Sequence, residues 1–206
     1  MGGFLTVAGI AGAKLTDVER ALREYGAENG RKFARDTTGL SYPDGIVITA
    51  GEAGRVSVLL PSMGADSAPV AISLSKTLKS PVFLLHIHDG DFWMYWLFAD
   101  GKEIDCFNPI PDYWDDDVSD RDRKKCAGNA RKVAQYWPEL QPAKIDRYLV
   151  TWNLKEGDSR KAYPDDTHGF NDCRQLIDFM KRLRLRFPLD DEDNPVGKLY
   201  RFEVRQ

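Results

Sequence analysis

Apolar positions along the chain change their period several times, and each change marks an element. Residues 3–9 (GFLTVAG) read as a short strand. Leu15, Val18, Leu22 and Tyr25 then recur at helical spacing. Thr16 with Glu19 three places on forms a capping-box pattern, and Gly26 and Gly30 are stop signals. Residues 31–43 are polar and irregular. Two runs of β type, Ile46 to Thr49 and Arg55 to Leu60, flank Gly51-Glu52-Ala53-Gly54, a hairpin signal. A second helix carries Val70, Leu74 and Leu78, with Asp66 or Ser67 as its cap and Pro69 in its first turn. Val82 to His88 is the next strand.

This order, β-α-β-β-α-β, is the split βαβ order of a ferredoxin-like sandwich, an antiparallel sheet with two helices on one face. The chain then continues as a meander. Asp89-Gly90 and Asp100-Gly101 are two-residue turn signals that separate LLHIH, DFWMYWLFA and KEIDCFN. Two-residue loops would set Ile87 opposite Phe92, Leu85 opposite Met94 and His86 opposite Trp93. In the second hairpin they would set Leu97 opposite Ile104 and Tyr95 opposite Cys106. Both faces of this meander are apolar, whereas a sheet with one wet face alternates apolar and polar. The meander is therefore expected to be covered on both sides.

The C-terminal part supplies the cover. Cys126, Ala130, Val133 and Trp137 mark one amphipathic helix. Cys173, Leu176, Ile177, Met180, Leu183 and Phe187 mark a stronger one, ended by Pro188. Arg147 to Trp152 suits a strand or a helix end, and Leu199 to Val204 suits a last strand. The expected fold class is α+β: a ferredoxin-like start extended by a β-meander, with six or seven strands and C-terminal helices on the second face. Residues 1–107 would form the sheet part and 108–206 a mainly helical part, packed as one fused unit with a seam near 108–118.

Composition narrows the function classes. Of 206 residues, 29 are Lys or Arg and 32 are Asp or Glu, for a formal net charge of −3, so a general nucleic-acid binder is not expected. No apolar run is long enough to span a bilayer, and MGGFLTVAGIAGAK lacks the basic start of a signal peptide, so no membrane role is expected. Cys106, Cys126 and Cys173 are far apart and form no C-x-x-C pair. They read as isolated apolar thiols in a reducing cytosol, with neither a disulfide framework nor a zinc ribbon, and the expected location is cytoplasmic.

The densest polar cluster is His86-Ile87-His88-Asp89-Gly90-Asp91. His86 and His88 lie two apart on one strand and so share a face. With Asp89 and Asp91 they are the candidate ligands of a divalent metal, since imidazole and carboxylate suit zinc. The H-x-H-x-D-H pattern of metallo-β-lactamase-like hydrolases is not matched, because Gly90 stands where its Asp would be and Asp91 where its last His would be. The competing account gives Asp89-Gly90 to the turn, stacks His86 on Trp93 and pairs His88 with Asp91.

Three further groups have structural explanations beside functional ones. Asp112, Asp115, Asp116, Asp117, Asp120 and Asp122 lack the Gly and late Glu of a calcium loop, and Ser119 and Asp120 suit a helix cap. Lys181, Arg182, Arg184 and Arg186 read as the solvated face of an amphipathic helix. The loop 61–67 (PSMGADS) enters a helix without being a phosphate motif. Aromatic residues differ: most on the meander must be core, but Tyr113 and Trp114 leave it in a loop beside Asp112, and are the candidate binding surface.

Residues 84–187 resemble a pattern of uncharacterised bacterial proteins. It comprises an acidic turn, an aromatic strand, G-x-x-x-D-x-F-N, P-x-Y, a G-N-x-x-x-x-A helix matched at Gly128-Asn129-Ala130 to Ala134, and a closing Leu-rich helix at Leu176 to Leu185. The resemblance implies a shared α+β module and no activity. The phosphate, dinucleotide, zincin and nucleophile-elbow motifs are missing from the sequence. The expected function is a binding or interaction module with a protein partner or small ligand, and a setting in bacterial defence or toxin–immunity. The alternatives are a metal-dependent hydrolase using His86, His88 and Asp91, and a small-ligand sensor using the Tyr113/Trp114 loop.

Overall fold

The computed structural model describes residues 3–37, 45–61, 67–115, 117–155 and 157–204. The elements run β1 (Leu5–Ile10), α1 (Leu15–Glu28), β2 (Arg31–Arg35), β3 (Ile46–Ala50), β4 (Val56–Leu60), α2 (Ser67–Thr77), β5 (Val82–His88), β6 (Phe92–Ala99) and β7 (Lys102–Phe107). They continue with α3 (Asp120–Lys125), α4 (Ala130–Tyr136), α5 (Gln175–Arg182) and β8 (Lys198–Val204). The eight strands form one antiparallel sheet in the order β2-β8-β3-β4-β1-β5-β6-β7.

The chain is mixed α+β, as expected, but its start differs from β-α-β-β-α-β. Residues 31–35, which are polar and irregular in the sequence, form the edge strand β2. Only Phe33 of β2 is buried, so the strand has no apolar period to detect. Among the described residues it pairs with β8, more than 160 residues later, with Phe33 opposite Phe202. Helix α1 begins at Leu15 with Lys14 as its N-cap and no side-chain cap, so Thr16 lies inside the first turn.

Alternation along the strands separates two cores. On one face, Ala8, Ile10, Ile48, Val58, Leu60, Val82 and Leu84 pack under α1 and α2 through Val18, Leu22, Val70 and Leu74. On the other, Val7, Phe83, Leu85, Trp93, Tyr95 and Leu97 pack against Val133, Trp137, Tyr148, Phe179 and Leu183 of the C-terminal part. Ring contacts carry much of that second layer. Trp93 lies 4.8 Å from Phe179 between ring centres, Phe83 lies 5.0 Å from Trp137, and Tyr95 stacks on Phe179 at 5.7 Å. The apolar content of both meander faces is thus accounted for by cover on both sides.

The pairing inside the meander is shifted from the two-residue-loop expectation. His88 stands opposite Phe92, so Ile87 meets Trp93, Leu85 meets Tyr95 and His86 meets Met94. The extra residue is Asp91, whose N–H donates to the His88 carbonyl at 2.9 Å after Asp89 and Gly90, both at positive φ. One residue of slip moves a whole side-chain set between faces, which is why Trp93 and Tyr95 join Phe83, Leu85 and Ile87. The Asp100-Gly101 turn does pair Ala99 with Lys102, but a bulge at Leu97/Phe98 then sets Leu97 opposite Asp105 and Tyr95 opposite Phe107.

The C-terminal helices are shorter than their periodicity suggests. The stretch from Cys126 to Trp137 is broken: α3 ends before Cys126, Gly128 is at positive φ, and Asn129 caps α4 by accepting from Lys132 N–H at 3.0 Å. Arg147 to Trp152 holds a single 3-10 turn at 146–148 and is not a strand. Helix α5 stops at Arg182, because Arg184 turns left-handed and Leu185 N–H returns to the Met180 carbonyl.

The cysteine expectation is corrected. Cys106 and Cys126 form a disulfide, and Cys173 is the free thiol. The strand end of β7 and the end of α3 lie side by side through a Phe107–Ala127 bridge, a proximity that a separation of 20 residues conceals. A disulfide removes the support that free thiols lent to a reducing compartment. Among the described residues no helix is long and apolar enough to cross a membrane.

Candidate functional site

The β5–β6 hairpin and the loop after β7 bring most of the sequence candidates together. His86 and His88 share a strand face, with ring centres 5.7 Å apart. Around His88 stand Trp114 at 4.9 Å, Phe4 at 5.0 Å, Tyr113 at 5.5 Å and Phe92 at 5.6 Å. The Tyr113 hydroxyl donates to Asp91 Oδ2 at 2.7 Å and ties the loop to the hairpin. The result is an aromatic patch. Its floor is Phe92, fully buried, and its outer rings are Phe4, 40% exposed, and Trp114, 57% exposed.

The two histidines play different parts. His86 Nδ1 lies 2.9 Å from Thr6 Oγ1 on the neighbouring strand. Burial, aided by the neighbouring His88, pushes its pKa down to about 4, so it is neutral at pH 7. His88 is half-buried and points its ring into the aromatic group. Neither takes the place the sequence suggested for it. Trp93 lies on the opposite face from His86, and the Asp91 carboxylate takes Tyr113 instead of His88.

Among the described residues no three His, Cys, Asp or Glu side chains come together in a way that would hold a metal ion. The register explains this, because Asp91 sits in the turn and the residue facing His88 is Phe92. Asp89 lies exposed at positive φ and serves the turn.

The carboxylates give the patch an acidic rim. Asp91, and beyond it Asp89, hold the Tyr113 phenol above its ordinary pKa, chiefly through the hydrogen bond to Asp91. Asp115 follows Trp114 directly and is exposed. Asp112 is held low by its bond to Arg123, 3.1 Å away, and so is partly neutralised. Further on, Ser119 caps α3 by accepting from Asp122 N–H, while Asp115 accepts from Asp117 N–H at 2.9 Å. Asp116 lies outside the described residues, as do positions 62–66 of the proline-serine loop.

Three of the four basic residues on and after α5 are engaged within the molecule. Lys181 pairs with the buried Asp178 at 3.0 Å, and Arg184 pairs with Glu139. Arg182 reaches both Asp165 and Asp166, and covers the Tyr163 ring at 4.7 Å. The Arg182 contacts fasten the 158–172 loop to the helix. Three residues of the patch and its surroundings carry no sequence signal that places them there. Phe4 precedes β1 by one residue and reads only as part of a strand. His168 and Cys173, on the far side of the hairpin, have no pattern that links them to it.

Comparison with protein-family models, with curated proteins and with solved structures finds no match for this chain, so the pattern over residues 84–187 brings no residue role with it.

Proposed function

We propose that the protein is a binding module that receives a basic side chain of a protein partner on the aromatic patch of Phe4, His88, Tyr113 and Trp114. The observation that supports it is the convergence of exposed Trp114 and Phe4 on His88, beside the Asp91 carboxylate. Large exposed aromatics at one spot are costly in water unless they serve contact. Ring faces attract cations, and guanidinium and ammonium groups gain further from adjacent carboxylates. The patch is open and rimmed by acid, which favours a cation over an anion or an apolar tail. A small-molecule sensor on the same loop is the second reading, favoured by the 57% exposure of Trp114.

The antiparallel order β3-β4-β1-β5 with α1 and α2 on one face supports a ferredoxin-like reading of the start, with β2 as an insertion. In that reading the patch lies at the end of a stiff sheet, a suitable base for binding groups on loops.

The test is a titration with a tetra-arginine peptide, with N-acetyl-arginine amide as the small-molecule arm, followed by tryptophan emission. A saturable change in the wild type that is lost in Trp114→Ala supports the module. A response to the peptide alone favours the partner reading, and an equal response to both favours the sensor. No change up to millimolar concentration, or an unchanged response in Trp114→Ala, overturns it.

A further inference from the structure

On the opposite side of the same hairpin lies a cleft of about 520 Å³. That is within the range of small-molecule sites. It is reached from neither Tyr113 nor Trp114, which do not line it. Its floor is apolar: Leu5 and Ile87 come from the sheet, Ile177 from α5, and Phe187 and Leu189 from the segment after it.

The rim carries unpaired charge of both signs. Arg174, immediately before α5, lines the cleft and is exposed. Asp191 and Asp193 also line it, in a turn closed by the Leu189–Pro195 bridge. Asp190 shapes that turn by accepting from Asn194 N–H at 2.9 Å and Glu192 N–H at 3.0 Å, which leaves its two neighbours free of that task. Among the described residues, Arg174, Asp191 and Asp193 have no side-chain hydrogen bond or ion pair. They contrast with Lys181, Arg182 and Arg184 on the same helix and its end, all of which are paired.

We infer that this cleft binds a zwitterion with an apolar side chain, either a free amino acid or a short peptide. Arg174 receives the carboxylate, Asp191 and Asp193 receive the ammonium, and the apolar floor takes the side chain. A guanidinium suits a carboxylate because its donors match two oxygens at once. A purely cationic ligand would leave Arg174 opposed, and a purely anionic one would meet two carboxylates. Cys173 also lines the cleft, and burial pushes its thiol pKa up, so it contributes as an apolar wall and not as a nucleophile.

The experiment is calorimetric titration of the full chain with leucine and with leucyl-leucine, which separate the free amino acid from the peptide. N-acetyl-leucine and isoamylamine each lack one charged end. Saturable binding of leucine or the dipeptide is expected, with about tenfold or greater loss for either blocked compound. Arg174→Ala and the double variant Asp191→Asn/Asp193→Asn should each weaken the unblocked ligand by a similar factor. All three residues are exposed, so these variants should fold as the parent does. Trp114→Ala should bind leucine as the parent does, which separates failure here from failure at the aromatic patch. Undetectable binding of both unblocked ligands at millimolar concentration overturns the inference. So does binding that is indifferent to blocking or to the Arg174 substitution.

Discussion

Tyr113 and Asp91 are joined by a 2.7 Å hydrogen bond between the loop leaving β7 and the turn between β5 and β6. The bond crosses 22 residues of chain and sets the position of the ring pair Tyr113–Trp114, whose centres lie 5.3 Å apart. Tyr113→Phe should therefore leave the fold intact and loosen Trp114. The expected result is a longer-wavelength, more readily quenched emission, since the other tryptophans are more buried than Trp114. Asp91→Asn should produce a smaller change in the same direction, because an amide oxygen still accepts. Acrylamide quenching measures both, and equal quenching in all three proteins would show that the bond does not position the loop.

His86 makes stability depend on acid. Its folded pKa is about 4, below the ordinary value of roughly 6.5, because burial disfavours the charged ring. Between these values the unfolded chain binds a proton that the folded chain does not, so stability falls as pH drops from 6.5 toward 4. The full effect is at most roughly 3 kcal/mol. His86→Gln should flatten that part of the stability profile while leaving other acid-dependent terms in place. Urea unfolding of both proteins at pH 7, 6, 5 and 4.5 reads the difference, and parallel profiles would contradict the assignment.

The Cys106–Cys126 bond holds α3 to the sheet. No residue of α3 is buried, so hydrophobic packing contributes little there. Closing a loop of about 20 residues stabilises a protein by about 3 kcal/mol on the chain-entropy account. Cys106→Ala/Cys126→Ala should lower the urea midpoint accordingly, and reductant should do the same to the parent but nothing to the variant. Thiol titration of the unfolded, unreduced chain should find Cys173 alone. Three titrating thiols would mean that the bond does not form.

The Arg182–Asp166 pair is largely buried. Asp166 is 1% exposed in its side chain and accepts from the Tyr148 hydroxyl at 2.7 Å as well as from Arg182 and the Tyr163 N–H. Asp166→Ala strands these donors, and removal of one partner from a buried pair costs about 3–5 kcal/mol. Arg182→Met should cost less if Asp166 keeps its two tyrosine partners. Thermal unfolding of both variants tests the order. A larger loss for Arg182→Met would show that leaving the buried Asp166 carboxylate without its cation costs more than stranding its donors.

Much of the layer arrangement is legible in the sequence. The near-continuous apolar strands over 82–107, apolar on both faces, require cover on two sides. The helical period over 173–183 supplies part of that cover, and Leu199 to Val204 do form the last strand. Tyr113 and Trp114 could be selected as a surface pair because they follow the strand in a proline-flanked acidic loop. These features are local, and local sterics and hydrophobicity encode them directly.

Tertiary structure decided the rest, for reasons of distance and register. β2 exists because β8 pairs with it, so no pattern within residues 31–35 could announce it. One extra residue, Asp91, moved Trp93 and Tyr95 to the face covered by the C-terminal part and set Phe92 opposite His88. Phe4 reaches His88 only because β1 lies beside β5. The disulfide and the two-signed rim of the cleft likewise join residues that only long-range folding brings together. The sequence by itself determined which faces are apolar and where the chain turns. The free energy of long-range pairing and packing, which no local pattern contains, determined which side chains meet.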